Sequence, residues 1–229
     1  MAAPNATRVV RSALTGTGIE LVASCPTAPY DAEAHPAIRS QALMPGARGV
    51  VVAGSAGPAL WRLFLGHMTA NPALWDESDP YDAFVALLLE RADGALVREG
   101  VRFRRLDAAF HAVPRIDFLI LSRLAGLGSA SPFRLHIHET HGAWWALRGA
   151  WLVDADVDPP LSHQAPCQGC PAPCVGSSRA IVSATPAVRS RCVVGQASRY
   201  DDDQIAYHDD PASTRVRFRR HGHAQSRIS

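Results

Sequence analysis

Two apolar runs constrain the fold of this chain more than any other feature. Residues 49–53 read GVVVA, and residues 144–153 read WWALRGAWLV, in which Arg148 is the one charged residue. Runs of this length without polar alternation are typical of buried strands. Strands and helices are interleaved along the chain without a strict strand–helix–strand repeat. The pattern therefore predicts an α+β layered sheet with flanking helices in a single domain, rather than a doubly wound fold.

The remaining elements follow from periodicity and from turn residues. Pro58 and Pro80 each suit the first turn of a helix, and apolar residues follow each of them at helical spacing. Helices are predicted over residues 6–15, 58–68, 80–99, 116–127 and 200–208. Strands are predicted over residues 19–23, 49–53, 101–106, 133–138 and 144–153, the last two joined by a turn at His141-Gly142. A proline-rich loop is expected through Tyr30 and His35.

Composition excludes several classes of protein. All 23 basic residues are arginine, so there is no lysine for a Schiff base, a P-loop or a kinase site. No apolar run reaches the roughly 18 residues of a membrane span, and the start of the chain lacks the apolar stretch of a signal peptide. We therefore expect a cytoplasmic protein without a membrane partner, active as a monomer or homodimer. The net charge of +2 and the absence of a recognition motif argue against nucleic acid as a partner.

The domain is expected to span residues 1–215, with a cysteine-rich insert at 159–178 and a basic, mobile tail at 216–229. The insert contains Cys167, Cys170 and Cys174, and its first two cysteines fit the C-x2-C-x2-C-x3-C-P run of iron–sulfur proteins. His163 or Cys192 could complete a zinc site. Zinc, a relic iron–sulfur site and no metal at all remain open.

The segment HIHETHGAWWALRG (residues 136–149) could carry chemistry in two ways. On a strand, His136 and His138 point to one face, and with His141 and Glu139 they could bind a metal, although a polar strand end beside a hairpin is favoured on spacing alone. The adjacent tryptophans point to opposite faces, so that one can pack in the core while the other lines a pocket for a flat cofactor. Small residues at positions 142 and 143 would allow such a cofactor close to the backbone. Arg148 is a candidate to bind a carboxylate.

The same segment resembles a known family. It is similar to the block H-P-R-F-G-G-W-F-A-I-R-G of the cobalamin-processing decyanase/dealkylase (CblC-type) family, with matches at six positions: His138, Gly142, Trp144, Ala146, Arg148 and Gly149. Upstream, LMPG (residues 43–46) and SDPYDAFVA (residues 78–86) resemble further family segments, and RYDDDQIAY (residues 199–207) resembles R-Y-S-E-E-Q-K-A-Y. The resemblance implies a flavin-nitroreductase-like layered sheet. The cysteine insert is foreign to the animal members and is similar to that of epoxyqueuosine reductases.

The resemblance also implies site residues. Three arginines would bind the carboxylates of a small thiol such as glutathione: Arg148, Arg191 and Arg215. The corrinoid (cobalamin-type) pocket would be formed by seven residues: His138, Gly142, Ala143, Trp144, Trp145, Leu147 and Tyr200. No catalytic acid, base or nucleophile is implied. The D-x-H-x-x-G signature of a histidine bound to the lower face of cobalt is absent, so binding without a protein ligand stays open.

The expected function is to bind cobalamin base-off and remove its upper axial ligand, by thiol-dependent dealkylation or by reductive decyanation with electrons from a partner such as a flavin reductase. A flavin-dependent reductase of the same fold is the first alternative. A corrinoid carrier or chaperone without catalysis is the second. A small metal-binding protein built on the cysteine and histidine clusters is the third.

Overall fold

The computed structural model describes residues 4–108, 116–171, 173–174 and 185–221. Its strands are β1 (Leu21–Pro26), β2 (Gly49–Ala56), β3 (Phe103–Asp107), β4 (Ser129–Ala130), β5 (His136–Ile137) and β6 (Trp145–Val153). Its α-helices are α1 (Ala6–Leu14), α2 (Thr27–Glu33), α3 (Ser40–Leu43), α4 (Ala59–Ala70), α5 (Pro80–Arg98), α6 (Phe118–Leu124), α7 (Pro186–Ser190), α8 (Asp202–Asp209) and α9 (Pro211–His221). Short 3₁₀ helices lie at Pro36–Ile38, Pro72–Asp76 and Gln196–Ser198.

A four-stranded antiparallel sheet in the order β1-β2-β6-β3 forms the centre of the molecule. Side chains alternate along β2, so that Val51 and Ala53 face one hydrophobic core while Val50 and Val52 face another. The first core includes residues of α1, α4 and α5, and the second includes residues of α2 and α6. The predicted sheet with flanking helices in a single mixed α/β domain is confirmed, and the structure adds that the strands pair antiparallel.

Helix α5 illustrates how local sequence sets an element. The Asp79 side chain accepts a hydrogen bond from the backbone N–H of Asp82, which satisfies one of the free donors at the start of the helix. Pro80 occupies the first turn, where no donor is required. Leu89 and Leu96 are buried against the sheet and α1. This helix is therefore a rigid support for the neighbouring strand β6.

An irregularity interrupts the pairing of β2 with β6. Ala53 lies opposite Gly149 and Gly54 lies opposite Leu147, so Arg148 is an extra residue in β6. A β-bulge of this kind bends the strand and redirects the side chain at the extra position. The bulge places Arg148 at the edge of one cavity. Its strand neighbour Leu147 lines both that cavity and a second one.

Strands β5 and β6 do not form the hairpin that the sequence predicts. β5 pairs with β4, whereas β6 pairs with β2 and β3. His138 and Gly142 do exchange two backbone hydrogen bonds of 3.0 and 2.9 Å, which close the turn. Gly142 has a φ of +57°, and a Cβ there would lie 2.0 Å from the carbonyl oxygen of Val194. Packing against the 194–195 segment, and not a strand ladder, fixes this turn.

Two further predictions are wrong in part. The proline-rich segment after β1 contains helices α2 and α3, because the buried Tyr30 anchors the first of them in the second core. Residues 216–221 were expected in a mobile tail but belong to α9, where the buried Phe218 packs 5.4 Å from Trp75. Residues 222–229 lie outside the described part of the chain. No helix in the described part has both the length and the apolar composition needed to cross a membrane.

Candidate functional site

The exposed end of β6 borders a cavity of about 240 Å³, here called the tryptophan pocket. Nine described residues line it: Ala108, Phe118, Leu119, Ser122, Leu135, His136, Trp145, Ala146 and Leu147. Seven of these side chains are apolar, and the indole of Trp145 provides the largest flat surface. Such a concave, apolar site with few polar groups is typical of a pocket for a small molecule or cofactor.

Trp145 is held in a fixed position. Its indole N–H donates a hydrogen bond of 2.9 Å to the backbone carbonyl of His136. Gly128 lies beneath both residues, and a Cβ there would come within 2.7 Å of the indole and 3.1 Å of the His136 Cβ. The absence of a side chain at position 128 is therefore what allows Trp145 to lie against the strand. The pocket wall is pre-organised before any ligand binds.

Arg148 lines a second, smaller cavity of about 80 Å³ on the other side of Leu147, with Asp82 and Asp107. Its Nε donates a hydrogen bond of 2.8 Å to the hydroxyl of Ser55. Its guanidinium carbon lies 5.1 Å from the centre of the Tyr81 ring, within range of a cation–π interaction. The bulge in β6 thus places a half-buried positive charge beside the tryptophan pocket.

Arg189, from α7, forms a second cationic centre. Its guanidinium carbon lies 4.7 Å from the Trp144 ring centre and 5.1 Å from that of Tyr200. It also donates two hydrogen bonds to the carbonyl oxygen of Ala143, at 3.2 and 2.6 Å. Two of its five N–H groups are used in this way, and no hydrogen bond within the described ranges uses the other three. Arg189 and Tyr200 line a cavity of about 320 Å³ that opens beside α8, with His208 on its wall.

His208 lies near both arginines and is affected by their charge. Its ring packs 5.9 Å from Tyr200 and 5.3 Å from Tyr81, while part of the residue is exposed to solvent. Desolvation of the ring, then the positive charges of Arg148 and Arg189, lower the pKa of His208. Arg148 lies over the Tyr81 ring and Arg189 over the Tyr200 ring, so both arginines lie next to tyrosines that pack against His208. Among the described residues, neither arginine takes part in a salt bridge.

The arginines implied by the family resemblance are not all brought together. Arg148 lies in the site. Arg191 is an exposed residue at the end of α7, two positions beyond Arg189. Arg215 donates to the backbone carbonyls of Glu77 and Ser78, at 2.6 and 2.9 Å. The structure thus places Arg189, and not Arg191, beside Trp144 and Tyr200.

The residues expected to contact a corrinoid separate into two groups. Trp145 and Leu147 line the tryptophan pocket, whereas Trp144 is completely buried and packs 5.4 Å from Tyr200. Ala143 is also buried, in a third core that includes Phe133. The space beside Gly142 is filled by the backbone of Val194, so its small size serves chain packing and leaves no room there for a cofactor.

His138 shapes the turn rather than the pocket lining. Its Nδ1 accepts backbone hydrogen bonds from Thr140 and His141, at 3.1 and 3.3 Å. Its ring packs against Trp145, with 5.7 Å between centres. Burial, followed by the neighbouring His141, lowers the pKa of His138 to about 4. His138 is therefore neutral at pH 7, and its ring packs against the indole of Trp145.

The three predicted metal-binding cysteines, Cys167, Cys170 and Cys174, share a small apolar pocket with Cys192. Burial, followed by Cys192, raises the pKa of the Cys167 thiol. Within the described ranges, no group of three or more His, Cys, Asp or Glu side chains is arranged to hold a metal ion. Zinc and iron–sulfur binding at these cysteines therefore remain predictions.

Comparison with solved structures identifies the fold. The chain resembles a C. elegans B12-trafficking protein CblC, a human MMACHC homologue, with a TM-score of 0.64, 17% identity and 94% of each chain covered. It also resembles an epoxyqueuosine reductase (TM-score 0.51, 12% identity, 84% of this chain and 55% of that one). A second structure of such an enzyme, with an epoxyqueuosine-modified tRNA-Tyr stem loop, gives a TM-score of 0.52 at 12% identity, over 84% of this chain and 54% of the other. These likenesses show the fold.

No protein-family model matches the sequence, and no curated protein matches it. The residue-level assignment therefore depends on the geometry of the site itself. Sequence reasoning missed Arg189 and His208, because each becomes part of the site only when α7 and α8 fold against β6. The spacing of two residues between Arg189 and Arg191 gave no signal that could separate them.

Proposed function

We propose that this protein binds a cobalamin-type corrinoid base-off and removes its upper axial ligand with a small thiol such as glutathione. The observation that carries the proposal is the position of Arg148. The bulge in β6 directs this side chain toward a cavity that shares Leu147 with the apolar tryptophan pocket. A flat apolar macrocycle and a small anionic thiol need such adjacent surfaces. The fold shared with a B12-trafficking CblC protein supports the same conclusion.

The residues present fit a corrinoid. Trp145, Leu147 and Phe118 offer the ring system an apolar wall that excludes water. Trp145 is fixed by its hydrogen bond to His136, so little entropy is lost when a ligand packs on it. When bound, the corrinoid would supply a cobalt-bound alkyl group, and Arg148 and Arg189 would hold the thiolate that accepts it.

The two arginines position the thiol. Arg148 and Arg189 carry no salt-bridge partner in the described chain, and guanidinium groups bind carboxylates through paired hydrogen bonds. Their positive charge also favours the thiolate, which is the reactive form of a thiol. Holding the sulfur and the corrinoid in one orientation converts a bimolecular encounter into an effectively unimolecular step. The arginines of this protein would therefore act by positioning rather than by proton transfer.

Anaerobic incubation of the protein with methylcobalamin and glutathione in the dark tests the proposal. The expected product is S-methylglutathione, measured by mass spectrometry, in an amount that depends on the protein. Arg148→Met keeps an unbranched, largely apolar side chain but removes the guanidinium group and its charge, and it should raise the KM for glutathione more than it changes binding of the corrinoid. Binding of methylcobalamin without thioether from any thiol would identify a carrier. Yellow, flavin-loaded protein that ignores cobalamin would identify a flavin-dependent reductase.

A further inference from the structure

The cavity of about 80 Å³ that Arg148 lines, here called the charged cavity, is bordered by charges of both signs. Asp82 reaches it from the first turn of α5, and Asp107 reaches it from the end of β3. All three charged residues are half-buried. The rest of the lining is apolar: Val85, Ala86, Leu89, Ala108 and Leu147. One cation and two carboxylates thus surround a small space with otherwise apolar walls.

The opposite charges in this cavity do not contact one another. Among the described residues, no salt bridge joins Arg148 to Asp82 or to Asp107. The Nε of Arg148 donates to Ser55, and no hydrogen bond within the described ranges uses its two terminal nitrogens. A charge removed from bulk water is stabilised when a group of opposite sign contacts it. The gap between these groups therefore suits a ligand that carries both signs of charge.

Asp107 is held in place by Arg105. The Nε of Arg105 lies 2.9 Å from Oδ1 of Asp107, and Nη1 of the same arginine lies 2.6 Å from Asp93. Oδ1 of Asp107 is buried, whereas its side chain as a whole is 41% exposed. Oδ2 is therefore the accessible oxygen. Because each carboxylate oxygen accepts hydrogen bonds, Oδ2 can accept from a ligand while Oδ1 stays beside Arg105.

We propose that the charged cavity recognises the α-amino-acid end of the thiol, with Asp82 and Asp107 on its ammonium group and Arg148 on its carboxylate. This inference rests on the proposed function, because it names the class of thiol that the same site takes. An ammonium group only donates hydrogen bonds and a carboxylate only accepts them, which matches the two acids and the guanidinium.

The size of the charged cavity restricts what can enter it. Its volume of about 80 Å³ equals that of two or three water molecules, at about 30 Å³ each. The five non-hydrogen atoms of an α-amino-acid end fit this space, whereas a sugar or a nucleotide does not. Thiols with a free α-amino-acid end, such as glutathione and cysteine, are therefore the substrate class. Thiols whose amino group is acetylated or missing are poor substrates.

Binding of S-methylglutathione tests the inference, because this compound keeps the α-amino-acid end but has no thiol to react. Isothermal titration calorimetry gives its Kd for the full chain, without corrinoid and with methylcobalamin. Desamino-S-methylglutathione, in which hydrogen replaces the ammonium group, is the matched ligand. We expect its Kd for the wild-type protein to be about tenfold higher or more, because a hydrogen bond between charged groups is lost.

Variants of the two acids complete a cycle with the two ligands. Asp82→Asn and Asp107→Asn should each raise the Kd for S-methylglutathione and reduce the difference between the two ligands, because the ammonium group loses its charged partner. Glu90→Gln is the control. Glu90 is an exposed carboxylate on the same helix as Asp82 and does not line the cavity, so both Kd values should equal those of the wild-type protein.

The outcomes separate the two claims. Equal Kd values for the two ligands, or no binding of S-methylglutathione, would overturn the role of the charged cavity. Corrinoid binding and thioether formation are measured independently, so the proposed function would stand if both were still observed. Absence of corrinoid binding would overturn the proposed function itself. Should an aspartate variant fail to fold, the comparison of the two ligands on the wild-type protein decides the question without a variant.

Discussion

Arg189 stacks on Trp144, with 4.7 Å between the guanidinium carbon and the centre of the indole ring. The same side chain is held by two hydrogen bonds to the Ala143 carbonyl, so it is fixed from two directions. A pre-oriented guanidinium loses little freedom when it binds an anion. This contact therefore connects the buried residues just before β6 to the cavity beside α8.

Replacing Arg189 by alanine should weaken thiol binding more than corrinoid binding. The variant loses a cation that adjoins Tyr200, and we expect the KM for glutathione in the dealkylation assay to rise about tenfold or more, which corresponds to about 1.4 kcal/mol. The Ala143 carbonyl also loses its donor, so the free energy of unfolding in urea should fall by about 1–3 kcal/mol. Steady-state kinetics and equilibrium unfolding measure the two effects separately.

Arg191→Ala is the matched control for Arg189→Ala. Arg191 is exposed at the end of the same helix, so its removal should change the unfolding free energy by no more than about 0.5 kcal/mol. Its KM for glutathione should equal that of the wild-type protein. A larger loss of thiol binding in Arg191→Ala than in Arg189→Ala would contradict the placement of the thiol.

Trp145→Ala should reduce the affinity for a corrinoid. The indole forms the flat wall of the tryptophan pocket, and loss of an aromatic contact of this size costs about 1.5–3 kcal/mol, or about 10- to 150-fold in Kd. Trp145→Phe keeps an aromatic wall but loses the hydrogen bond to His136, so a smaller loss is expected. Kd values from visible spectra would test this order, and equal affinity of wild type and Trp145→Ala would refute the location of the pocket.

Stability should fall as the pH is lowered from about 6.5 to about 4. Burial and His141 lower the pKa of His138 to about 4 in the folded protein, so between these values the unfolded chain binds more protons than the folded one. Protonation of Nδ1 would also break the bonds from Thr140 and His141. Urea unfolding at pH 7, 6 and 5 should show this decline. His138→Asn keeps an acceptor without titrating, and its pH dependence should be weaker; an identical profile would exclude His138 as a source.

The cysteines should react with a thiol reagent according to burial. Cys25 is 1% exposed, and burial raises the pKa of its thiol to about 12, so we expect no reaction with Ellman's reagent in the folded protein. Cys167 and Cys170 are partly exposed and should react before the buried Cys25, Cys174 and Cys192. The iron and zinc content of protein purified without oxygen tests the predicted metal site, and clear absence of both metals would exclude it. One iron or zinc per chain, released as the thiols react, would instead support the metal site.

The sequence predicts the layered core well because its signals are local. The valines of β2 and the helical spacing after Pro80 specify a buried strand and a long helix without reference to the rest of the chain. The separation of β5 from β6 could not be predicted in this way, since the turn between them packs through Gly142 against Val194, which is distant in sequence. Tertiary packing, not propensity, selects the partner of a short strand.

The candidate site was predictable only where a motif marked it. Trp145, Leu147 and Arg148 belong to one strand, and the bulge places them at adjoining cavities. Arg189 comes from a helix about 40 residues downstream, and no pattern distinguishes it from Arg191.

Equilibrium binding of methylcobalamin tests the central claim most directly. The visible spectrum of methylcobalamin changes when the nucleotide base leaves cobalt, so titration with protein in the dark, without thiol, reports base-off binding alone. We predict a saturable base-off transition at one corrinoid per chain, weakened by Trp145→Ala and unchanged by Arg191→Ala. An unchanged base-on spectrum with the protein in large excess would contradict the account.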